Sequence, residues 1–169
     1  MLSPDPGTAG AARGVENLLD RRRVYHGLPG GSREELLEEL AARLAADGAV
    51  ADPGELTARL IDRERLGCTG LGGGVAIPHC KLRHLAGVVV AVASTAVPVD
   101  FGAADGVPID LVFLVASPAD APAAHLQALA RVSRLLRTPG VVDGLRAARS
   151  ADEMAGLLRN AQGALAVAP

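Results

Sequence analysis

Aromatic side chains are nearly missing from this chain of 169 residues, which has no tryptophan, one tyrosine (Tyr25) and two phenylalanines (Phe101 and Phe113). Stacking nucleobases on aromatic rings has almost nothing to work with, so no nucleic-acid partner of that kind is expected. Positive charge is not in excess either: the formal net charge is −2, which argues against a phosphate-backbone partner. The basic run Arg21-Arg22-Arg23 reads as a solvated strand edge. No stretch of about 20 uninterrupted apolar residues occurs, and hence no membrane span is expected. Residues Met1 to Gly7 lack the charged and apolar regions of a signal peptide. With only Cys68 and Cys80 as cysteines, the chain is expected to be cytoplasmic, with both thiols reduced.

What is abundant is small and aliphatic. Apolar residues make up 49% of the chain, so a single core built from Ala, Leu and Val is expected in one domain. Residues 1–14, rich in Pro, Gly and Ala, are expected to be disordered. Residues 15–160 form the domain, and 161–169 read as a frayed tail. A short strand is expected at Arg22 to Tyr25. Ser32 and Glu35 have capping-box spacing ahead of a helix bearing Leu36, Leu37, Leu40 and Leu44. Asp52, Pro53 and Glu55 open a second helix that stops at Gly67. Strands are expected at 75–77, 88–93 and 109–115. Three helices follow: one starting near Asp120 or Pro122 and running through Leu136 with Leu126, Leu129, Val132 and Leu136 inward, one capped by Thr138-Pro139, and one opened by Ser150 and Glu153. This irregular order predicts a mixed sheet with helices on both faces.

The segment from Arg63 to His79 carries most of the functional information. It runs Arg63-Glu64-Arg65-Leu66-Gly67-Cys68-Thr69-Gly70-Leu71-Gly72-Gly73-Gly74-Val75-Ala76-Ile77-Pro78 and delivers His79. Glycine-dense backbone frees N–H groups to cradle an anion. Pro78 fixes its own φ, biases Ile77 toward the extended region and stops the strand where the histidine sits. An imidazole at a strand end, beside a loop able to hold phosphate, suits phosphoryl chemistry on histidine.

These residues resemble the type-2 enzyme IIA domains of the bacterial phosphotransferase system, which include the fructose, mannitol and nitrogen-regulatory IIA proteins. Asp105-Gly106-Val107-Pro108-Ile109-Asp110-Leu111-Val112-Phe113-Leu114 and His125-Leu126-Gln127-Ala128-Leu129 agree with that family, and the resemblance covers about Val15 to Asn160. It implies a three-layer α/β/α fold with a small mixed sheet. It also implies that His79 takes a phosphoryl group from an HPr-like phosphocarrier and passes it to a IIB domain or uses it as a regulatory signal. A second histidine, His125, is implied to help bind the phosphoryl group without carrying it. Two residues depart from the family: Cys68 stands where Ser is usual, and Cys80 where Gly or Ala is common.

The chemistry asks for few groups. Phosphoryl transfer needs in-line positioning and stabilisation of the equatorial oxygens. One nitrogen of His79 must be free to attack, the other held by a backbone carbonyl or a carboxylate. Arg63 is placed to bond two phosphate oxygens at once, with Arg65 a lesser match. Thr69 is expected to donate a hydroxyl hydrogen bond from the loop. Gly70, Gly72 and Gly74 are read as backbone geometry with some N–H groups aimed at phosphate. His26, His84 and Lys81 are read as surface residues.

Three rival readings stand beside this one. Cys68, His79, Cys80 and His84 are zinc-ligand types, but adjacent His79 and Cys80 point to opposite sides of an extended segment. No metal and no cofactor are therefore expected. A Cys68–Cys80 thiol switch would need the two Cα atoms about 4.4–6.8 Å apart. Finally, the domain is equally suited to act as a regulatory module that binds partners according to its phosphorylation state, without onward transfer.

Overall fold

Ser32 and Asp52 open the first two helices as their spacing predicts. In the computed structural model, which describes residues 18–167, the Ser32 side chain accepts the Glu35 N–H while Glu35 takes the Ser32 N–H, and helix α1 runs Arg33–Ala46. Asp52 accepts the Glu55 N–H at the head of α2, Pro53–Arg65, with Pro53 in the first turn, where its missing N–H costs nothing. The segment 1–14 expected to be disordered lies outside the described residues.

Residues Arg21–Arg23 form a 3₁₀ turn rather than a strand edge, and β1 follows at Val24–Leu28. The glycine-rich stretch contributes β2 (Gly70–Gly72) and β3 (Val75–Ala76), and β4 (His79–Leu82) comes after Pro78. Strands β5 (Val89–Val99) and β6 (Ile109–Pro118) are the long central pair. Helices α3 (Pro122–Leu136), α4 (Val141–Ala147) and α5 (Ala151–Val167) complete the order.

The six strands make one sheet in the order β1-β5-β6-β3-β2, with β4 also beside β6. Its pairings are mixed: β5 and β6 are antiparallel, whereas β1 with β5 and both β3 and β4 with β6 are parallel. Side-chain alternation divides β6 between two cores. Val112, Leu114 and Ala116 pack on the α1/α2 side; Leu111, Phe113 and Val115 pack on the other side with Val132, Leu145, Met154 and Leu158 of α3 to α5. Burial on both faces explains the unbroken apolar runs of β5 and β6. The expected three-layer α/β/α arrangement with a mixed sheet is the one found.

Several local expectations change. In α3 the inward residues are His125, Ala128, Val132 and Leu135, and Leu126 is 67% exposed; the helix is turned so that a histidine takes the place expected for a leucine. Thr138 does not cap α4, since its hydroxyl donates to the Arg134 carbonyl at the end of α3. The box before α5 is displaced: Ser150 accepts the Glu153 N–H, but Glu153 accepts from Arg149 N. Helix α5 continues to Val167 and packs Ala161 against the core, so most of the span expected as a frayed tail is helical.

Candidate functional site

Pro78 breaks the strand, and the break builds the site. The β3 ladder ends at Ala76, and β4 resumes pairing with β6 at His79 opposite Val115. His79 thus begins a strand that the sequence did not predict, rather than ending one. Between the two strands the Ile77 carbonyl faces His79 Nδ1 at 2.7 Å. A carbonyl only accepts, so Nδ1 carries the proton and Nε2 bears the lone pair. The backbone carbonyl is the holding group that the chemistry required.

Alternation along β4 sends Cys80 into the α1/α2 core and therefore His79 to the α3 side. There the His125 ring lies with its centroid 5.6 Å from that of His79, the planes tilted by 48°. His125 sits in the first turns of α3, buried, with Nδ1 2.9 Å from Ser117 Oγ. The positive end of the α3 dipole is thereby within a turn of the pair, a setting favourable to an anion.

Arg63 arrives from the other layer. It lies in the last turn of α2 and donates its Nε–H to His79 Nε2 at 3.2 Å, while Nη1 donates to the Gly67 carbonyl at 2.9 Å. Glu64, which the sequence reading left without a role, is buried beside it and receives both the Thr69 N–H (3.1 Å) and the Thr69 hydroxyl. These bonds fold residues 66–69 back onto the end of α2 and fix where Arg63 points. A carboxylate beside the arginine, in a stretch about to end in glycine, was the available signal.

Two sequence expectations are corrected by this geometry. The Thr69 hydroxyl donates to Glu64, and Thr69 is not among the residues lining the cleft over His79. The glycines do not line the cleft over His79 either: Gly72, Gly73 and Gly74 have φ of 91°, 64° and 82°, with Gly72 ending β2 and Gly73 and Gly74 making the turn into β3. The Gly73 N–H donates to Asp105 at 2.8 Å. A Cβ on Gly74 would fall 2.7 Å from the Arg146 guanidinium, itself paired with Asp110. The anion that the Gly73 N–H meets is one of the chain's own carboxylates.

Burial is the main reason the His79 pKa lies below its ordinary value; Arg63 pushes the same way, while the Ile77 bond and Glu64 oppose it. His125 is lowered first by burial, then by His79 and Lys81. Both rings are neutral near pH 7. A shallow cleft of about 680 Å³ opens over them, edged by Arg59, Arg63, Arg65, Lys81, Asp62 and Leu66. Lys81 is exposed as expected, yet it borders this cleft. His26 and His84 are exposed and away from it. Cys80 is buried, and burial pushes its thiol up to about 12. Among the described residues no group of three or more His, Cys, Asp or Glu side chains is placed to hold a metal ion.

A neutral imidazole with a bare Nε2, an arginine against that atom and a second imidazole alongside can accept a phosphoryl group. Comparison with known proteins gives a family and related folds. The family model described as "Phosphoenolpyruvate-dependent sugar phosphotransferase system, EIIA 2" matches residues 17–161. The nitrogen regulatory protein of Bradyrhizobium diazoefficiens is 40% identical over 144 residues, covering 85% of this chain and 94% of that protein. That of Pseudomonas aeruginosa is 37% identical over 140 residues, with 83% and 91% covered. Among solved structures, nitrogen regulatory protein IIA-Ntr from Neisseria meningitidis superposes with a TM-score of 0.77 at 30% identity, covering 85% of this chain and 98% of that one.

Proposed function

The chain belongs to the EIIA 2 family of the phosphoenolpyruvate-dependent sugar phosphotransferase system, and we propose that it is a phosphocarrier whose phosphoryl group rides on Nε2 of His79. The observation that carries this reading is the Nδ1–Ile77 carbonyl bond, because it leaves Nε2 unprotonated, its lone pair met at rest, among the described residues, only by the Arg63 N–H.

The donor is an HPr-like protein phosphorylated on histidine. Its imidazole leaves as His79 Nε2 attacks phosphorus in line: the Nε2–P bond forms, the donor N–P bond breaks, and the electron pair returns to the donor ring. The His79 Nδ1 proton stays on its carbonyl throughout. Arg63 exchanges Nε2 for the phosphoryl oxygens, where a guanidinium binds two at once. His125 donates to a third. Depressed basicity keeps His79 unprotonated and nucleophilic at neutral pH. The acceptor is a IIB domain or a regulatory protein. No described helix is long and apolar enough to cross a membrane, and a cytoplasmic setting is part of this proposal.

The nitrogen regulatory proteins, matched over nearly their whole length, favour a regulatory readout. Phosphorylation adds about −1.5 to −2 charges to a face edged by Arg59, Arg65 and Lys81, so the two states present different electrostatics to a partner. Intact-mass spectrometry after incubation with phosphoenolpyruvate, enzyme I and HPr tests the carrier reading. One acid-labile phosphate on wild type and none on folded His79→Ala supports it; an equal phosphate on the variant overturns it. Transfer onward to a IIB domain, set against phosphorylation-dependent binding of a regulatory protein, separates the two readouts.

A further inference from the structure

We propose that Ser117 is a positioning residue for phosphoryl transfer: its hydroxyl donates to His125 Nδ1 and so holds the tautomer that presents Nε2–H to the phosphoryl group. This rests on His79 as the acceptor and adds to it a residue that touches neither phosphate nor the reacting nitrogen.

Ser117 lies near the end of β6 and is wholly buried. Its Oγ is 2.9 Å from His125 Nδ1, and it has no other side-chain hydrogen bond among the described residues. A hydroxyl always has a proton to place, and here water is excluded. If His125 donated from Nδ1, the Ser117 O–H would be left without an acceptor inside the protein, the costly arrangement for a buried donor. When the serine donates instead, the Nδ1 lone pair accepts the hydrogen bond, the proton stays on Oγ and both groups are satisfied. The ring hydrogen of neutral His125 is then on Nε2.

The result complements His79. There the Ile77 carbonyl places the ring proton on Nδ1 and the lone pair on Nε2. The two rings, 5.6 Å apart, therefore offer one nucleophilic nitrogen and one N–H donor. With the opposite tautomer of His125, a phosphoryl oxygen would meet a second lone pair. Ser117 and the Ile77 carbonyl thus have matched and opposite duties, each fixing a proton on one ring.

Long-range ¹H–¹⁵N spectra of the full chain read the tautomer directly, and stopped reactions with phosphorylated HPr read the rate. Wild-type His125 is expected as Nε2–H. Ser117→Ala is expected to mix tautomers and slow phosphate acceptance about five- to tenfold, the kinetic equivalent of one hydrogen bond. Ser117→Thr, which keeps the hydroxyl, is expected to restore both. In a His125→Gln background, where an amide N–H has no tautomer to set, Ser117→Ala is expected to add no further loss. Wild-type His125 found as Nδ1–H, an Ser117→Ala variant with unchanged tautomer and rate, or a full additional loss in the glutamine background would each overturn the role of Ser117. A wild type that holds the Nε2–H tautomer but accepts no phosphate would overturn the reading of His79 and the serine's part in transfer with it.

Discussion

Arg63 donates its Nε–H to His79 Nε2 at 3.2 Å, so the resting guanidinium sits on the lone pair that the reaction needs. The proposed transfer requires the arginine to release that nitrogen when phosphorus approaches, in exchange for the phosphoryl oxygens. In the proposed carrier one residue thus guards the nucleophile at rest and stabilises the product.

Arg63→Ala is expected to slow phosphate acceptance about 100-fold, as loss of a preorganised donor to a developing anion does. Arg63→Lys is expected to recover little of this, because a point charge lacks the planar fork. Rapid-quench transfer from phosphorylated HPr is the measurement. A lysine variant as fast as wild type would show that charge alone suffices.

Thr69→Val separates structure from chemistry. Its hydroxyl serves buried Glu64, so the variant should lose roughly 1–2 kcal/mol of stability while retaining most of the acceptance rate. Urea unfolding beside the transfer assay distinguishes this from direct phosphate binding, for which the rate would fall and stability hold.

Acid should weaken the fold through the two rings. Both His79 and His125 titrate below the ordinary 6.5 when folded. As pH falls through the unfolded value, the unfolded chain takes up protons first, and stability declines toward the lower folded values. Above that range the contribution is fully present. Urea midpoints at about pH 7.5 and about pH 5.5 should differ, and less so in a His79→Ala/His125→Asn double variant. Phosphorylation of His79 should raise the His125 pKa by opposite charge, visible in an NMR titration.

Cys80 should resist alkylation. Its thiol is buried and pushed up to about 12, so iodoacetamide at neutral pH should label half-buried Cys68 first and Cys80 only on unfolding. Early labelling of Cys80 would contradict the packing of β4.

Much of the scaffold was legible because local chemistry and tertiary packing agree. The Ser32 and Asp52 caps and the two-faced apolar runs of β5 and β6 need little context. His79, Arg63 and His125, singled out by their spacing and a family resemblance, are brought together in the fold. The contacts that support them were not legible. Thr69 and Glu64 are five residues apart, and nothing local tells whether such a hydroxyl turns to a carboxylate or to a ligand. The glycine string looked like a phosphate cradle because positive φ and free N–H groups serve turns and anion sites alike; Asp105, Asp110 and Arg146, distant in sequence, decided between them. Strand β4 was hidden by Pro78, whose break in the ladder reads as a stop although pairing resumes one residue later. Ser117 became visible only when β6 brought it beneath His125.

The most direct test is to locate the phosphorus on ¹⁵N-labelled protein after phosphorylation by phosphoenolpyruvate, enzyme I and HPr. Phosphorus–nitrogen coupling at Nε2 of His79, with Nδ1 still protonated, is the predicted result. Coupling at Nδ1, or at any nitrogen of His125, would contradict the account, because it would mean that the Ile77 carbonyl does not set which atom of His79 reacts.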